Sequence, residues 1–410
     1  MTALQRAKQY FGEISVDCWA VCLYLVFLPG TIVETPIGSL LKAVTIPVIL
    51  ILFYKLVFGK SKPICFNSIQ VVYLLYTVYT VWELLLLNTE TSQTMTKDMV
   101  LTCAAIILMS MRVYNPTERD LMEKTWIIVG ITSLYFGLFS SQEVFGEGRT
   151  AVFILGYPED PNQFCGYFIL PIMIYIKRIL NKSKLMPLYV VLLLLTLYAV
   201  LKTGSRGGLI GILAGIVVFI LLGIKSLKSK IALIVMGALC ALFVVGVVFP
   251  LLPQDVQERY SVERVAEDKG SGRFDIWKYL IEYTTEKPER IIHGCGLYST
   301  ADALQNSGLG LSARWAHNQF VQVFADQGIV GLGLFTLFAA LCFFRNIRKN
   351  PEFACAFAAV MALSFSLTFY VFKPYINIVI MCAMTFELSN QERRARINDA
   401  LETSADKSIV

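Results

Sequence analysis

Long apolar runs, separated by short polar or basic stretches, succeed one another along nearly the whole chain. A run of about 20 apolar residues spans the hydrocarbon core of a bilayer as an α-helix, because each residue rises about 1.5 Å. The pattern predicts about twelve transmembrane helices, at roughly 14–30, 37–58, 67–88, 97–114, 121–140, 162–179, 186–202, 208–224, 231–252, 328–344, 352–371 and 374–389. Two long polar stretches interrupt the series, one from Ser141 to Pro161 and a larger one from Pro253 to about Ala316. The expected fold class is therefore all-α: a polytopic membrane protein with a large outer-face loop containing short helices. The expected divisions are residues 1–252, holding spans one to nine and the outer loops 141–161 and 203–207; 253–327, the large outer loop; 328–389, the last three spans; and 390–410, a cytoplasmic tail.

Composition agrees with that pattern. Of 410 residues, 56% are hydrophobic and 16% charged, and the mean hydropathy of +0.61 is well outside the soluble range. Tight basic clusters, such as Lys177-Arg178, Lys225 to Lys230 and Arg345 to Lys349, all fall on one side of the alternating spans. By the positive-inside rule that side is the cytoplasm, which puts both termini inside and the two long polar stretches outside. The basic start followed by an apolar stretch near Val16–Leu28 reads as an uncleaved first span. The net charge of +6 is then a topology signal. With no basic stripe carrying interleaved aromatics, nucleic acid is not expected as a partner. The ten cysteines lie mainly inside apolar runs and show no metal-ligand spacing, so they read as small buried hydrophobes, with neither a disulfide framework nor a metal site expected.

Polar residues at the edges of spans are where chemistry is expected. In GYPEDPNQFCGY (156–167), Asp160 and Asn162 suit the cap of the following helix, or the orientation of a substrate. In LKTGSRGGLIG (201–211), three glycines allow close approach and hold Lys202 and Arg206 at the mouth between two helices. A guanidinium there suits phosphate, and a snorkelling arginine at a tight hairpin reads as well. Neither a nucleophile elbow nor a P-loop is present: Thr203 stands where the elbow needs glycine, and no Gly-Lys-Ser/Thr follows. GSGRFDIWKYL (270–280) predicts a short helix with Arg273 in its first turn and Trp277 on the same face. That pair suits a sugar phosphate, while Phe274, Ile276, Trp277 and Leu280 equally suit a helix lying on the bilayer. His317 precedes a short amphipathic stretch and a glycine-rich span, with Trp315 and Asn318 beside it. Imidazole is the side chain best suited to take a proton near neutrality, and an interfacial packing role is the alternative. His293, before a Gly-Cys-Gly turn, reads as structural.

The run His317-Asn318, nine residues, then Gly328-Ile-Val-Gly331 resembles the histidine signature of the O-antigen ligases and the related O-antigen polymerases, with every defined position matched. The Asp160-Pro161-Asn162 segment, the hairpin Thr203 to Gly208, and Gly272-Arg273 with Trp277 resemble the same superfamily in order and in side of the membrane. The resemblance covers about residues 150–345; the first five spans agree only in architecture. It implies transfer of a glycan from undecaprenyl diphosphate to an acceptor hydroxyl, on a glycan or a lipid core, at the outer face of the bacterial plasma membrane and without nucleotide, metal or other cofactor. It further implies that Arg206 and Arg273 bind the diphosphate and that His317 is the base. Asn162, Asp160, Lys202, Trp277, Asn318 and Trp315 are secondary candidates for substrate contact. A ligase and a repeat-unit polymerase share this donor chemistry. The alternative of another class, a lipid-linked-glycan flippase or other transporter, predicts charged residues deep within several spans.

Overall fold

The computed structural model describes residues 10–59, 64–87, 89–143, 148–261, 263–264, 272–305, 307, 315–370 and 373–387. Through the first half of the chain run helices α1 (Val16–Val26), α2 (Leu40–Phe58), α3 (Ser68–Leu86), α4 (Glu90–Ser110), α5 (Pro116–Phe139), α6 (Pro161–Leu180) and α7 (Met186–Lys202). They are followed by α8 (Arg206–Val218), which runs on as a π turn over Phe219–Gly223, and by α9 (Leu227–Phe243). The large polar stretch holds α10 (Gln254–Arg259), α11 (Arg273–Thr285), α12 (Pro288–His293) and α13 (Thr300–Gln305). The chain then returns through α14 (Gln319–Asn346), α15 (Pro351–Leu363) and α16 (Lys373–Ala383).

Among the described residues, six helices are long and apolar enough to cross a membrane: α2, α3, α6, α8 with its π turn, α9 with its continuation to Leu251, and α14. Shorter apolar helices, α1, α7, α15 and α16, stand beside them. The protein is thus mostly helical and polytopic. The expected count of twelve rests on these two sets together with α4 and α5, whose first turns carry polar and charged residues.

Packing ranks the helices. Tyr167 to Tyr175 on α6 are 1% exposed or less throughout, and α6 contacts α5, α7, α8 and α15. α9, by contrast, buries only Leu233. An apolar helix with so little protein contact presents its surface to lipid, since the bilayer replaces protein as its apolar surrounding. α6 also tolerates Pro171 in its interior, opposite Gly130 of α5, where an added Cβ would meet the Pro171 ring.

The all-α expectation needs one correction. Strands β4 (Ser141–Glu143), β5 (Thr150–Ile154) and β6 (Tyr157–Glu159) form a three-stranded antiparallel sheet, after the short strands β1 (Glu34–Thr35), β2 (Gly38–Ser39) and β3 (Val113–Tyr114). Thr150-Ala-Val-Phe-Ile154 is rich in β-branched and aromatic residues, which fit a pleated surface. Ile154 pairs with Tyr157 across Leu155 and Gly156, both at positive φ, the conformation of a two-residue hairpin turn. A last strand, β7 (Thr385–Phe386), pairs in parallel with β3.

One break positions the rest. Gly328 lies inside α14 with φ 62° and ψ −162°, a region essentially restricted to glycine. The break lets α12 press against the helix: a Cβ on Gly328 would strike the Ile292 carbonyl, and one on Gly294 the backbone of Asp326. Cys295 N and Gly296 N donate to the carbonyls of Ala325 and Asp326 at 3.0 and 2.8 Å, satisfying groups freed where the helix interrupts. Gln327 fastens the same point to α3, with Tyr76 donating to its Oε1 and its Nε2 donating to Thr80 and Glu83. His293 packs edge-on to Trp82, ring centroids 5.2 Å apart, and meets Tyr79, so its role is in this docking.

Gly328→Ala is expected to destabilise the protein by about 1–3 kcal/mol from backbone strain alone, with the clash added. A thermal melt of the purified variant in detergent would register it as a lower Tm, whereas an unchanged melt would mean the break is dispensable.

Candidate active site

Three helix starts meet at one end of the molecule, each with a side-chain cap. Asp160 Oδ1 accepts from Asn162 N and Gln163 N at the start of α6. Ser205 Oγ accepts from Gly208 N at the start of α8. Asn318 Oδ1 accepts from Phe320 N and Val321 N at the start of α14. The starts are tied together: Ser205 Oγ donates to Asn162 Oδ1 at 2.6 Å, Gln319 N donates to Ser364 O at 2.9 Å, and Gly207 lies against Ser366 Oγ. Helix N-termini carry partial positive charge, so their convergence favours an anion at this end.

The hairpin between α7 and α8 requires its glycine. Gly204 has φ 66°, and a Cβ there would collide with the Gly148 carbonyl. Thr150 N and Oγ1 donate to the carbonyls of Thr203 and Lys202, and Arg259 Nε donates to Gly204 O at 2.8 Å. This packing seats Arg149, which the sequence reading passed over, beside the hairpin. Arg149 is half-buried, and its Nε is buried with no hydrogen-bond partner among the described residues.

His317 sits in a bracket. Its φ is 50°, unusual for a residue with a β-carbon and costing of order 1–3 kcal/mol when held. Both peptide groups before it are pinned: Trp277 Nε1 donates to Ala316 O at 2.8 Å, and Ala316 N donates to Gln322 Oε1 at 2.8 Å. The Gln322 amide reaches on to Thr300 Oγ1 and Asp326 Oδ2. Beneath lies a small core of Ile276, Leu280, Leu304, Ala316 and Ala325, joining α11, α13 and the first turns of α14. The strained residue is therefore over-determined by its surroundings.

Burial holds the His317 imidazole below its ordinary pKa, and the nearby charges of Arg273 and Arg149 push it the same way, against the opposing field of Asp160. The ring is thus neutral at pH 7, the form that accepts a proton. The same shift shows that His317, Arg273, Arg149 and Asp160 share one neighbourhood. Arg206 starts α8 beside Ser205 and contributes to the field at Tyr260. Glu159, 3% exposed, is pushed up to about 7 by burial, opposed by the Tyr167 hydroxyl it accepts from. It lies directly under the Asp160 cap.

The secondary candidates divide by what they touch. Asn162 and Asn318 are buried and serve caps and the link to Ser205. Lys202 Nζ donates to Leu138 O at 3.2 Å, at the carbonyl-rich end of α5, which turns it to helix capping and away from substrate. The Trp277 indole N–H is spent on Ala316, so the expected stacking partner of a sugar is first a bracket for His317. Trp315 stands edge-on to Tyr298, ring centroids 4.3 Å apart. Gly272, at φ 72°, takes the N-cap position and α11 begins at Arg273.

Arg149 and Glu159 were missed because neither sits in a recognisable motif. The one available signal was that both flank the β-branched and aromatic stretch that forms β5 and β6.

Residues 189–336 match the family model described as O-antigen ligase. The match takes in Arg206, Arg273, Trp277 and the His317 to Gly331 signature, and leaves Arg149, Asp160 and Asn162 outside it. No curated protein matches the chain.

Replacing Arg273 by Gln removes a repelling charge and is expected to raise the His317 titration midpoint. Asp160→Asn keeps a competent cap but removes the favourable charge, so the midpoint falls. Histidine ring-proton NMR of the labelled protein, with His293→Asn to leave one signal, reads both. Shifts of the opposite sign would mean that these charges do not act on the ring.

Proposed function

We propose that this member of the O-antigen ligase superfamily is a metal-independent, inverting glycosyltransferase that moves a glycan from undecaprenyl diphosphate to an acceptor hydroxyl at the outer face of the bacterial plasma membrane. The observation that carries the reading is the placement of His317, held at positive φ where three capped helix starts converge, with burial and the charges of Arg273 and Arg149 holding its imidazole below the ordinary pKa.

In this mechanism His317 takes the proton of the acceptor hydroxyl. The oxygen attacks the anomeric carbon, the bond from that carbon to the diphosphate oxygen breaks with its electron pair going to oxygen, and undecaprenyl diphosphate departs. Diphosphate is a good leaving group whose developing charge needs stabilisation more than protonation. Arg206 and Arg273 supply that charge, and Arg149 adds a third guanidinium from the sheet side. Preorganised donors of this kind are worth roughly 3–4 kcal/mol each in a dry site. The lipid tail of the donor lies among the apolar helices. On this reading the described residues of the 253–327 stretch lie over the site on its outer side, the spans on either side are its membrane part, and the positive-inside orientation puts the termini on the cytoplasmic side.

A transporter would place charge deep in its spans. Here the buried charged side chains, Asp17, Glu83, Arg112, Glu118, Glu123, Glu159, Asp326 and Glu352, lie within about two turns of a helix end or of the break at Gly328. Chemistry at one face fits that distribution better than alternating access. Ligase and polymerase remain two acceptors for one donor reaction.

In proteoliposomes supplied with an undecaprenyl-diphosphate-linked glycan and acceptor, His317→Ala is expected to lower transfer by about 10²–10⁴-fold, the usual worth of a general base. Arg149→Gln is expected to lower it by about 10²–10³-fold, as for loss of one charge-stabilising donor. Transfer by His317→Ala at the parent rate, in protein that still inserts and melts normally, would overturn the assignment.

A further inference from the structure

The far end of the molecule carries a second charged cavity that the transfer reaction does not use. α6 separates the two: Pro161 begins it at the candidate site, and Lys177, Arg178 and Asn181 border the cavity at its other end, about 30 Å away for a 20-residue helix. The cavity is open to one side and offers about 730 Å³, room for far more than a few waters.

Its floor is an ion-pair network. Glu352 Oε1 receives Arg119 Nη2 and Lys177 Nζ, each at 2.7 Å. Glu123 receives Lys177 and Arg178, also at 2.7 Å. Asp120 is held by Arg178 at 2.7 Å and Lys124 at 2.6 Å. Arg119 Nε also stands 3.4 Å from Glu123, so the three carboxylates share four cations, and the floor is neutralised with a small positive excess, which removes the repulsion an incoming anion would otherwise meet. Arg178 Nε is buried there without a hydrogen-bond partner.

At the rim stand Lys225 and Lys349, both exposed and with no ion-pair partner among the described residues. The π turn Phe219–Gly223 brings the chain to that rim, and Lys230 Nζ satisfies its Leu221 carbonyl at 2.7 Å. The starts of α5 and α15, at Pro116 and Pro351, also border the space. A purely structural salt-bridge cluster would close on itself, whereas this one leaves an open volume edged by uncommitted cations.

We propose that this cavity binds a phosphate-bearing anion, held by Lys225 and Lys349 over the neutralised floor. Two sources share that chemistry, the headgroup of an anionic phospholipid and free phosphate. Basic pockets between helices at a membrane edge are a recognised form of lipid headgroup site.

The purified full chain, reconstituted in nanodiscs of equal phosphatidylglycerol and phosphatidylcholine, is released into detergent and its retained lipid read by native mass spectrometry. In parallel, lipid-stripped protein is melted in inorganic phosphate against chloride at matched ionic strength. The test variant is Lys225→Gln/Lys349→Gln, and the control is Lys182→Gln/Lys184→Gln, exposed lysines at the same end outside the cavity lining. Preferential retention of phosphatidylglycerol, falling about fivefold per rim lysine removed and unchanged in the control, supports the lipid source. A higher Tm in phosphate that the test variant loses and the control keeps supports the free anion. Equal behaviour of the parent and both variants in the two experiments would overturn the proposal.

Discussion

The carboxamide of Gln322 is the interaction on which the candidate site depends. It is fully buried and speaks to three separate pieces of chain: Ala316 N just before the histidine, Thr300 on α13, and Asp326 one turn further along α14. Without it Ala316 N would be a buried donor with no hydrogen bond, at a cost of roughly 1–3 kcal/mol, while Thr300 and Asp326, which also bond each other, would lose their link to that segment. One side chain therefore decides that the end of the polar stretch, its last short helix α13 and the returning helix share a single arrangement. The left-handed backbone of His317 follows from it, because the peptide on one side is fixed by Gln322 and Trp277 and the chain on the other by the Asn318 cap.

That arrangement explains why a signature of histidine and two glycines has its spacing. From Gln319 to Gln327 the helix runs over the small core beneath α11, and at Gly328 it stops obeying helical geometry so that α12 can lie against it. Nine residues is the length of that short helix. The glycine fixes its far end and the histidine marks its near end, so chemistry and packing are read from one stretch of sequence.

Much of the fold was legible because its signals are periodic and local. Apolar runs gave the helices, and Asp160 announced a helix start by residue type and makes the bonds expected of a cap; Ser205 and Asn318 turn out to cap α8 and α14 as well. What stayed hidden depended on long-range pairing. The sheet over 141–159 has strands too short for alternation to stand out, and its β5 is nearly all buried, which erases the inside-outside pattern. Arg149 gains its position only when that sheet closes on the hairpin. Lys202 and Trp277 had the right residue types for substrate, but a nearby carbonyl claimed each of them first, and a sequence shows no carbonyls. The rim of the far cavity was visible only as basic clusters, which a positive-inside reading absorbs without remainder.

On the proposed reading, the electrostatics of the candidate site set their own condition for activity. A proton on His317 is opposed by burial and by the fields of Arg273 and Arg149, partly offset by Asp160, so the ring is a weaker base than an exposed histidine. On the proposed reading, the donor diphosphate brings negative charge into the space those guanidiniums face. A unit of opposite charge about 5 Å from the imidazole, at an effective dielectric near 20, is worth about 3 kcal/mol in favour of the imidazolium. That is comparable to what a positioned arginine contributes to leaving-group stabilisation. The arginines would then do two things at once, holding the leaving group and making the basicity of His317 conditional on its presence. An acceptor hydroxyl arriving first meets a base that its surroundings keep weak, and the proton moves readily only once the bond to be broken is in place.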